Sequence, residues 1–258
     1  MNVAAFIARR VAFNRERSFS RFIIRLAITA TAISIAAMLL TLAFTKGFQY
    51  TIGQKVFSLW GHIRVQYASP NRAAIAEELP VQENDTVWRV LRANKDVKSI
   101  GAYATKNAVL RSSEGIQGIL LKGVQKGYDF SNMNAFLKSG RWVNWSDSGY
   151  SSDIDISSYM ADQLKLKVGD KVLIYFIQPQ GSPRVRQLTV AGIFKIGIED
   201  FDKLIAIGDL KLIQRLNNWG PDEISGYEVF VKDYRKADTV NSLIYDQLPG
   251  SWSSRTIT

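Results

Sequence analysis

The sequence contains no cysteine and only one histidine, His62. The absence of cysteine excludes disulfides, zinc thiolates and a cysteine nucleophile. One histidine cannot make a histidine-rich metal site, and His62, beside a predicted strand, is interpreted as structural. The sequence also has no phosphate-binding Gly-x-x-x-x-Gly-Lys-Ser/Thr loop, Gly-x-Ser-x-Gly elbow, His-Glu-x-x-His pair or calcium loop. We therefore expect neither catalysis nor a bound cofactor.

Two groups of carboxylates could still suggest a metal or acid–base site. Asp153 and Asp155 lie two apart, and Glu199 and Asp200 lie close to Asp202. Acids two apart on a strand point to the same side. Neither group has an obvious set of neutral oxygen donors that would complete a metal site. Both groups are interpreted as solvated or helix-capping residues.

The positive charge is concentrated at the N-terminus. The whole chain carries a net charge of +10, and residues 1–25 hold six arginines against one glutamate. This cluster lies directly beside an apolar run, where lysine and arginine determine membrane orientation. The charge is therefore interpreted as a topology signal, and no nucleic-acid partner is expected.

The apolar run extends from Leu26 to Thr45 without a charged residue and is bracketed by Arg25 and Lys46. Twenty helical residues span roughly 30 Å, the thickness of the hydrocarbon core. A cleaved signal peptide is the rival interpretation, but its apolar core would be shorter, about 7–15 residues. The arginine cluster predicts a cytoplasmic N-terminus and export of the residues after Lys46.

These observations predict three regions. Residues 1–22 form a cytoplasmic segment, either an amphipathic helix on the anionic inner leaflet or a disordered basic tail. Residues 23–46 form one transmembrane helix in contact with membrane lipid. Residues 47–258 form an extracytoplasmic domain of one or two lobes.

One face of the predicted membrane helix carries small residues. Ala30, Ser34, Ala37 and Thr41 recur at steps of four, three and four, so they share a face. Small residues allow a second helix backbone to approach closely within lipid. The pattern predicts a helix-packing face, although such residues are also simply common in membrane helices.

The exported region mixes strands with helices. Phe48–Trp60 is predicted to continue the membrane helix in line, and residues 127–150 are predicted to be mostly irregular. Further helices are predicted from Asn84 or Asp85 to Asp96, from Ser157 to Leu166, from Asp209 onward, and from Lys236 to Leu248. Strands are predicted at 62–67, 99–111, 115–124, 153–156, 171–178, 184–194, 204–207 and 227–231. The two hairpins and the element lengths predict an α+β fold with a mixed sheet.

Several short motifs occur in a fixed order along the chain. They are Lys46-Gly47-Phe48-Gln49, Ile119-Leu120-Leu121-Lys122-Gly123-Val124, Gly140-Arg141, Ile156-Ser157, Val168-Gly169-Asp170 and Val190-Ala191-Gly192-Ile193-Phe194. In this order the chain resembles the permease subunits of lipoprotein-releasing (LolC/LolE-type) ABC transporters, within the MacB/FtsX-like permease superfamily. Each motif alone is weak evidence, and the resemblance depends on the order and spacing of the motifs taken together.

The resemblance implies a protein of the bacterial inner membrane that carries a MacB-like periplasmic core domain. It implies a separate cytoplasmic ATPase subunit, a second permease copy or paralogue, an acylated lipoprotein substrate and a soluble periplasmic carrier. Such permeases have three further membrane helices, so the chain is expected to be an N-terminal portion. In one permease of this branch a long hairpin loop docks the carrier. Here a short candidate partner-contact loop takes its place, made of Gln178, Pro179, Gln180, Gly181, Ser182, Pro183 and Arg184.

Other functions are compatible with the same sequence. The main alternative is a single-pass, membrane-anchored periplasmic binding, scaffold or sensor protein. Among permeases, MacB-type efflux and FtsX-type control of cell-wall hydrolases are the rivals. An exported enzyme is the least favoured hypothesis, because no catalytic motif supports it.

Overall fold

The structure is a computed structural model that describes residues 3–4, 6–7, 19–68, 80–147, 149–177 and 182–257. The chain divides into two compact units, Met1–Ile52 and Gly53–Thr258. Helix α1, Phe19–Trp60, begins in the first unit and ends in the second. The predicted helical extension over Phe48–Trp60 is therefore confirmed as helix.

The first unit consists mainly of helix α1. Within the described part of the chain, one helix, Phe22–Trp60, is long and apolar enough to cross a membrane, and its most apolar window is fully exposed. The hydroxyls of Thr31, Thr41 and Thr51 each donate to the carbonyl four residues earlier, at 2.8–2.9 Å. Because these hydroxyls are satisfied within the helix, they cost little in an apolar medium. Residues 8–18 of the basic segment lie outside the described residues, so its two interpretations both stand.

The second unit is built on a mixed sheet. Within the described residues, ten strands form one sheet: β1 Ile63–Tyr67, β3 Val97–Arg111, β4 Ile116–Val124, β5 Leu137–Gly140, β6 Asp153–Ser157, β7 Lys171–Phe176, β8 Arg184–Phe194, β9 Ile205–Asp209, β11 Gly226–Val231 and β12 Trp252–Thr256. Two further short strands, β2 Val81–Gln82 and β10 Glu223–Ile224, pair with each other. The predicted α+β class with a mixed sheet is confirmed.

Six of these strands close into a ring. The pairing runs β3–β4–β9–β6–β8–β7 and returns from β7 to β3. The β4–β9 and β6–β8 pairs are parallel and the others antiparallel. Strands β11, β1 and β12 continue the sheet outward from β3, and β5 adds to β8. Closing the ring leaves its strands without free edges, which limits unwanted strand pairing.

Three helices begin directly after a polar residue whose side chain caps the first turn. Asn84 caps α2 (Asp85–Ala93), Ser157 caps α3 (Ser158–Leu164), and Asp209 caps α5 (Leu210–Asn217), each through a side-chain oxygen. These caps satisfy backbone N–H groups that have no partner inside the helix. Helix α4 (Glu199–Leu204) and helix α6 (Ala237–Tyr245) complete the set described.

Some elements differ from the sequence-based expectation. Helix α4 lies where only capping or loop residues were expected, and β5 lies inside the region predicted to be irregular. Strand β12 pairs with β1 and forms the outer edge of the sheet, and the sequence pattern does not predict it. These elements are short, so the local pattern that would predict each of them is weak, and the two strands also depend on partners far away in sequence.

The core of the second unit has two parts. The larger part fills the ring and the space beneath α2, α3, α5 and α6. The smaller part lies around the last turn of α1, where Leu59 and Trp60 are buried with Tyr103, Leu120 and Phe230. Full burial of each large apolar side chain contributes about 1.5–3 kcal/mol. The end of α1 is therefore held firmly within the second unit.

Candidate functional site

The predicted helix-packing face lies in the first unit. Ala30, Ser34, Ala37 and Thr41 are all in α1 and all exposed. The Thr41 hydroxyl donates to the Ala37 carbonyl at 2.8 Å, so this hydroxyl needs no partner from another helix. The face is suited to close backbone contact, and its role in packing stays a prediction.

The predicted partner-contact loop is described only at its C-terminal end. Gln178, Pro179, Gln180 and Gly181 lie outside the described residues. Ser182 and Pro183 are exposed, and β8 begins at Arg184. A role for this loop in partner contact stays a prediction.

Arg184 is not simply a solvated side chain. It is half-buried, and its Nη1 donates to the carbonyl of Leu216 at 2.5 Å and to Oδ1 of Asn218 at 3.1 Å. These acceptors lie at the C-terminal end of α5, where backbone carbonyls have no partner inside the helix and the helix dipole favours a cation. Arg184 therefore connects the loop end of the second hairpin to α5.

The structure reveals a buried ion pair that was not singled out from the sequence. Lys122 in β4 and Glu228 in β11 are both fully buried, and Lys122 Nζ lies 2.7 Å from both carboxylate oxygens. The Tyr128 hydroxyl donates to Glu228 Oε2 at 2.8 Å. Burying a charge is costly unless it is paired and hydrogen-bonded. A lone charged residue inside each of two apolar strands is the sequence signal that could have pointed to this pair.

The same lysine connects the sheet to the end of α1. Lys122 Nζ donates to the carbonyl of Leu59, one of the last carbonyls of the helix, and lies 5.0 Å from the centre of the Trp60 ring. A cation at a helix C-terminus is favoured by the helix dipole, and one over an indole ring by the ring quadrupole. We call Lys122, Glu228, Tyr128 and Leu59 the junction cluster.

The pKa values of the junction cluster reflect its burial. Burial lowers the pKa of Lys122, and the neighbouring Glu228 opposes that shift. Burial raises the pKa of Tyr128 well above its usual value, and Glu228 raises it further. Tyr128 therefore remains a neutral hydrogen-bond donor, and we assign Lys122 and Glu228 as an ion pair on their geometry.

A second polar group lies close to the junction cluster. Arg64 in β1 donates from Nη2 to the Tyr103 hydroxyl at 2.6 Å, and Gln66 Nε2 lies 2.6 Å from the same oxygen. The Arg64 guanidinium also lies 4.8 Å from the centre of the Trp60 ring. The last residue of α1 is thus in contact with cations from both β1 and β4.

The first carboxylate group does not match its interpretation as solvated or capping residues. Asp155 is fully buried, and its Oδ2 accepts from the Val143 amide at 2.9 Å. Burial, with a contribution from Asp153, raises the Asp155 pKa to about 8. Asp153 itself lies 2.6 Å from Arg141 Nη1. Asp155 is therefore a buried structural residue on β6, a strand of the ring that is paired on both sides, with β8 and with β9.

The second carboxylate group matches its interpretation better. Asp202 accepts from the Ile196 and Gly197 amides at 2.9 and 2.8 Å, so it caps the loop before α4, although it is itself buried. Glu199 is exposed and paired with Lys203. Among the described residues, no three carboxylate or histidine side chains are grouped to hold a metal ion.

His62 has a structural role, as expected. Its Nδ1 accepts from the Val231 amide at 3.2 Å, and its ring lies 4.9 Å from that of Phe57. Burial and the nearby Lys98 lower the His62 pKa to about 4, so the ring is neutral and can accept this bond. His62 therefore helps to join the end of α1 to β11.

Two curated proteins are similar to most of the chain. The lipoprotein-releasing system transmembrane protein LolC of Neisseria meningitidis serogroup B is 24% identical over 249 residues, covering 89% of this chain and 54% of that protein. The lipoprotein-releasing system transmembrane protein LolE of Haemophilus influenzae is 21% identical over 257 residues, covering 96% of this chain and 60% of that protein. The chain thus spans about half to three-fifths of the length of these relatives.

The fold has a counterpart among solved structures. The periplasmic region of MacB from Actinobacillus actinomycetemcomitans matches with a TM-score of 0.50 and 12% identity, over 75% of this chain and 87% of that one. At this identity the likeness concerns the fold alone. The sequence profile of the MacB-like periplasmic core domain matches residues 26–244. Because that match covers most of the sequence, the chain belongs to the MacB-like periplasmic core domain family.

Proposed function

We propose that the chain is the N-terminal part of an ABC transporter permease. In this proposal, a separate cytoplasmic ATPase subunit drives the extraction or export of lipoproteins on the extracytoplasmic side of the inner membrane. The family match and the names of the two relatives support this function. The arginine-rich N-terminus supports the orientation, because such residues stay on the cytoplasmic side.

The proposed mechanism depends on the contacts that the junction cluster makes with α1. Helix α1 has the length and composition of a membrane span, and Lys122 binds the carbonyl of Leu59 in its last turn. In our proposal, a displacement of α1 driven by the ATPase shifts the extracytoplasmic domain between two packed arrangements. Packed interfaces transmit small shifts in this way because they switch between discrete states instead of deforming continuously.

Two further surfaces complete the proposal. The face of Ala30, Ser34, Ala37 and Thr41 packs against a helix of the second permease or of the same full-length protein. The loop from Gln178 to Arg184 contacts a periplasmic partner, either the carrier or the second permease. Its short length makes it a smaller docking element than the long loop implied for one permease of the branch.

A co-purification experiment with the full-length gene product tests this function. We expect the protein to be isolated with its ATPase and with a bound acylated lipoprotein, which ATP and a periplasmic carrier release. Recovery of a cell-wall hydrolase would favour FtsX-type regulation, and recovery of an outer-membrane duct would favour MacB-type efflux. Isolation without any ATPase would overturn the proposal in favour of an anchored scaffold or sensor.

The variant Lys122→Met tests the coupling of ATP hydrolysis to lipoprotein release separately from lipoprotein binding, in the same preparation. We expect this variant of the full-length transporter to retain bound lipoprotein and to lose most ATP-driven release, because the hydrogen bond from β4 to the Leu59 carbonyl of α1 is removed. Lys126→Met is the matched control, since Lys126 forms an exposed pair with Asp147. Equal release by wild type and Lys122→Met would contradict the proposed role of the junction.

A further inference from the structure

A basic cleft lies between the second hairpin and helix α5. It has a volume of about 670 Å³, and its walls include Arg184 and Arg186 from β8 and Lys211 and Arg215 from α5. Residues two apart on a strand share a face, and residues four apart on a helix share a face. Each element therefore presents two cations, and the two pairs line one cavity.

Among the described residues, no carboxylate lines this cleft. None of the residues that line it is acidic, and within the described part of the chain none of the four cations forms a salt bridge. Asp209 and Asp147, which do not line the cleft, interact electrostatically with Lys211, and each also has other partners. Asp209 accepts from the Ser151 and Lys211 amides, and Asp147 pairs with Lys126. The cleft is thus a concentration of positive charge.

Hydrogen bonds within the protein already orient the two arginines of β8, Arg184 and Arg186, before an anion enters the cleft. Arg184 is held by the Leu216 carbonyl and the Asn218 side chain, and Arg186 Nη1 donates to the Val185 carbonyl at 2.8 Å. These acceptors provide hydrogen bonds but no negative charge. Both arginines are half-buried, so water screens their charges less than those of fully exposed side chains. A binding site made in this way loses little side-chain entropy when an anion enters.

We propose that this cleft binds the phosphoryl group of a small ligand or of a lipid headgroup. Arginine forks match phosphate oxygens, and four cations can balance a phosphate charge of up to −2. A cleft of this volume is within the range of small-molecule sites and much larger than a phosphate ion. The wall also contains Tyr150 and Trp219, which can contact the organic part of the ligand. This inference does not rest on the proposed transport function.

Calorimetry on the whole chain in a neutral detergent tests this proposal with two probes. Glycerol 3-phosphate represents a soluble phosphoryl ligand, and dihexanoyl phosphatidylglycerol below its micelle concentration represents a lipid headgroup. We expect at least one probe to bind, and to bind more weakly as salt is raised. Binding of the lipid probe alone identifies a headgroup site, and binding of glycerol 3-phosphate alone identifies a soluble ligand.

The double variant Arg186→Gln/Arg215→Gln removes two cleft charges and leaves Arg184 in place to hold α5. We expect it to weaken phosphoryl binding at least tenfold. The control Arg89→Gln/Arg111→Gln removes the same charge from exposed positions outside the cleft and should bind as wild type does. Arg215→Gln alone, at an exposed side chain, should weaken binding several-fold with an unchanged melting temperature, so a folding defect can be recognised.

Three outcomes would overturn the proposal. The first is that neither probe binds to the wild-type chain. The second is that the control variant loses as much affinity as the cleft variant, which would indicate a general charge effect. The third is that hexaglutamate binds more tightly than both phosphoryl probes, which would assign the cleft to an acidic protein segment.

Discussion

Lys122 is a charged side chain that the fold removes completely from water. Its replacement by methionine leaves Glu228 buried without a cation. We predict that Lys122→Met lowers the free energy of unfolding by about 3–5 kcal/mol, the usual cost of breaking a buried pair by removing one partner. Urea unfolding of the detergent-solubilised chain, followed by tryptophan fluorescence, measures this change.

The double variant Lys122→Met/Glu228→Leu separates the cost of an unpaired Glu228 carboxylate from the loss of the contact to Leu59. Replacing both partners by apolar side chains removes the unpaired charge, so much of the lost stability should return. Coupling through Leu59 should not return, because no donor replaces Lys122. If the double variant were as unstable as the single one, the loss would come from packing and not from the orphaned carboxylate.

Asp155 predicts a pH dependence of stability with a definite sign. Its pKa is about 8 in the folded chain, against about 4 for an ordinary aspartate. Between these values the folded state keeps a proton that the unfolded state releases. Stability is therefore lost as pH rises from about 4 to about 8, by up to about 1.4 kcal/mol per pH unit, and the loss levels off above pH 8.

The substitution Asp155→Asn should remove this contribution. We predict that the urea midpoint of the variant, measured at pH 5, 7 and 9, improves relative to wild type as pH rises. Asp162→Asn, at an exposed position of α3, is the matched control and should follow the wild-type profile. Parallel profiles for wild type and Asp155→Asn would contradict a proton held at Asp155.

Helix α1 gives a prediction at the scale of one element. Residues 1–258 contain no cysteine, so within them Ser34→Cys introduces one thiol on the small-residue face and Ile35→Cys introduces one on a face shared with the bulkier Ile28, Leu39 and Leu42. We expect the full-length protein to cross-link more efficiently through position 34. Adding Ala37→Leu should reduce that cross-linking several-fold, because the larger side chain prevents close approach of the helices. Equal yields at both positions would rule out a packing face.

The elements also show what local sequence can predict. The two hairpins were predicted because β3 with β4, and β7 with β8, follow one another in sequence with turn residues between them. Helices α2, α3 and α5 were predicted from side chains that cap their first turns. The closure of the ring by β7 onto β3, and the pairing of β12 with β1, depend on partners far away in sequence. No local pattern encodes such pairing.

The same limit applies to the functional residues. Lys122 and Glu228 are 106 positions apart, and each stands alone in an apolar strand. The sequence indicates that each charge needs a partner, but it does not say which one. In the same way the basic cleft forms only when β8 and α5 pack together, since Arg184 and Arg215 belong to different elements. Adjacent motifs could be predicted, whereas contacts between distant strands required the fold.

At the scale of the whole molecule, the orientation of the chain decides whether the proposed function is possible. We predict that alkaline phosphatase fused after Thr258 is active in cells and that green fluorescent protein at the same place is dark, because arginine-rich segments remain in the cytoplasm. Replacing the six arginines of residues 1–25 by glutamine should produce mixed orientations. An inactive phosphatase fusion together with a fluorescent protein fusion that is bright would put the mixed sheet on the ATPase side. The junction cluster could then not pass a movement of α1 to a domain across the membrane.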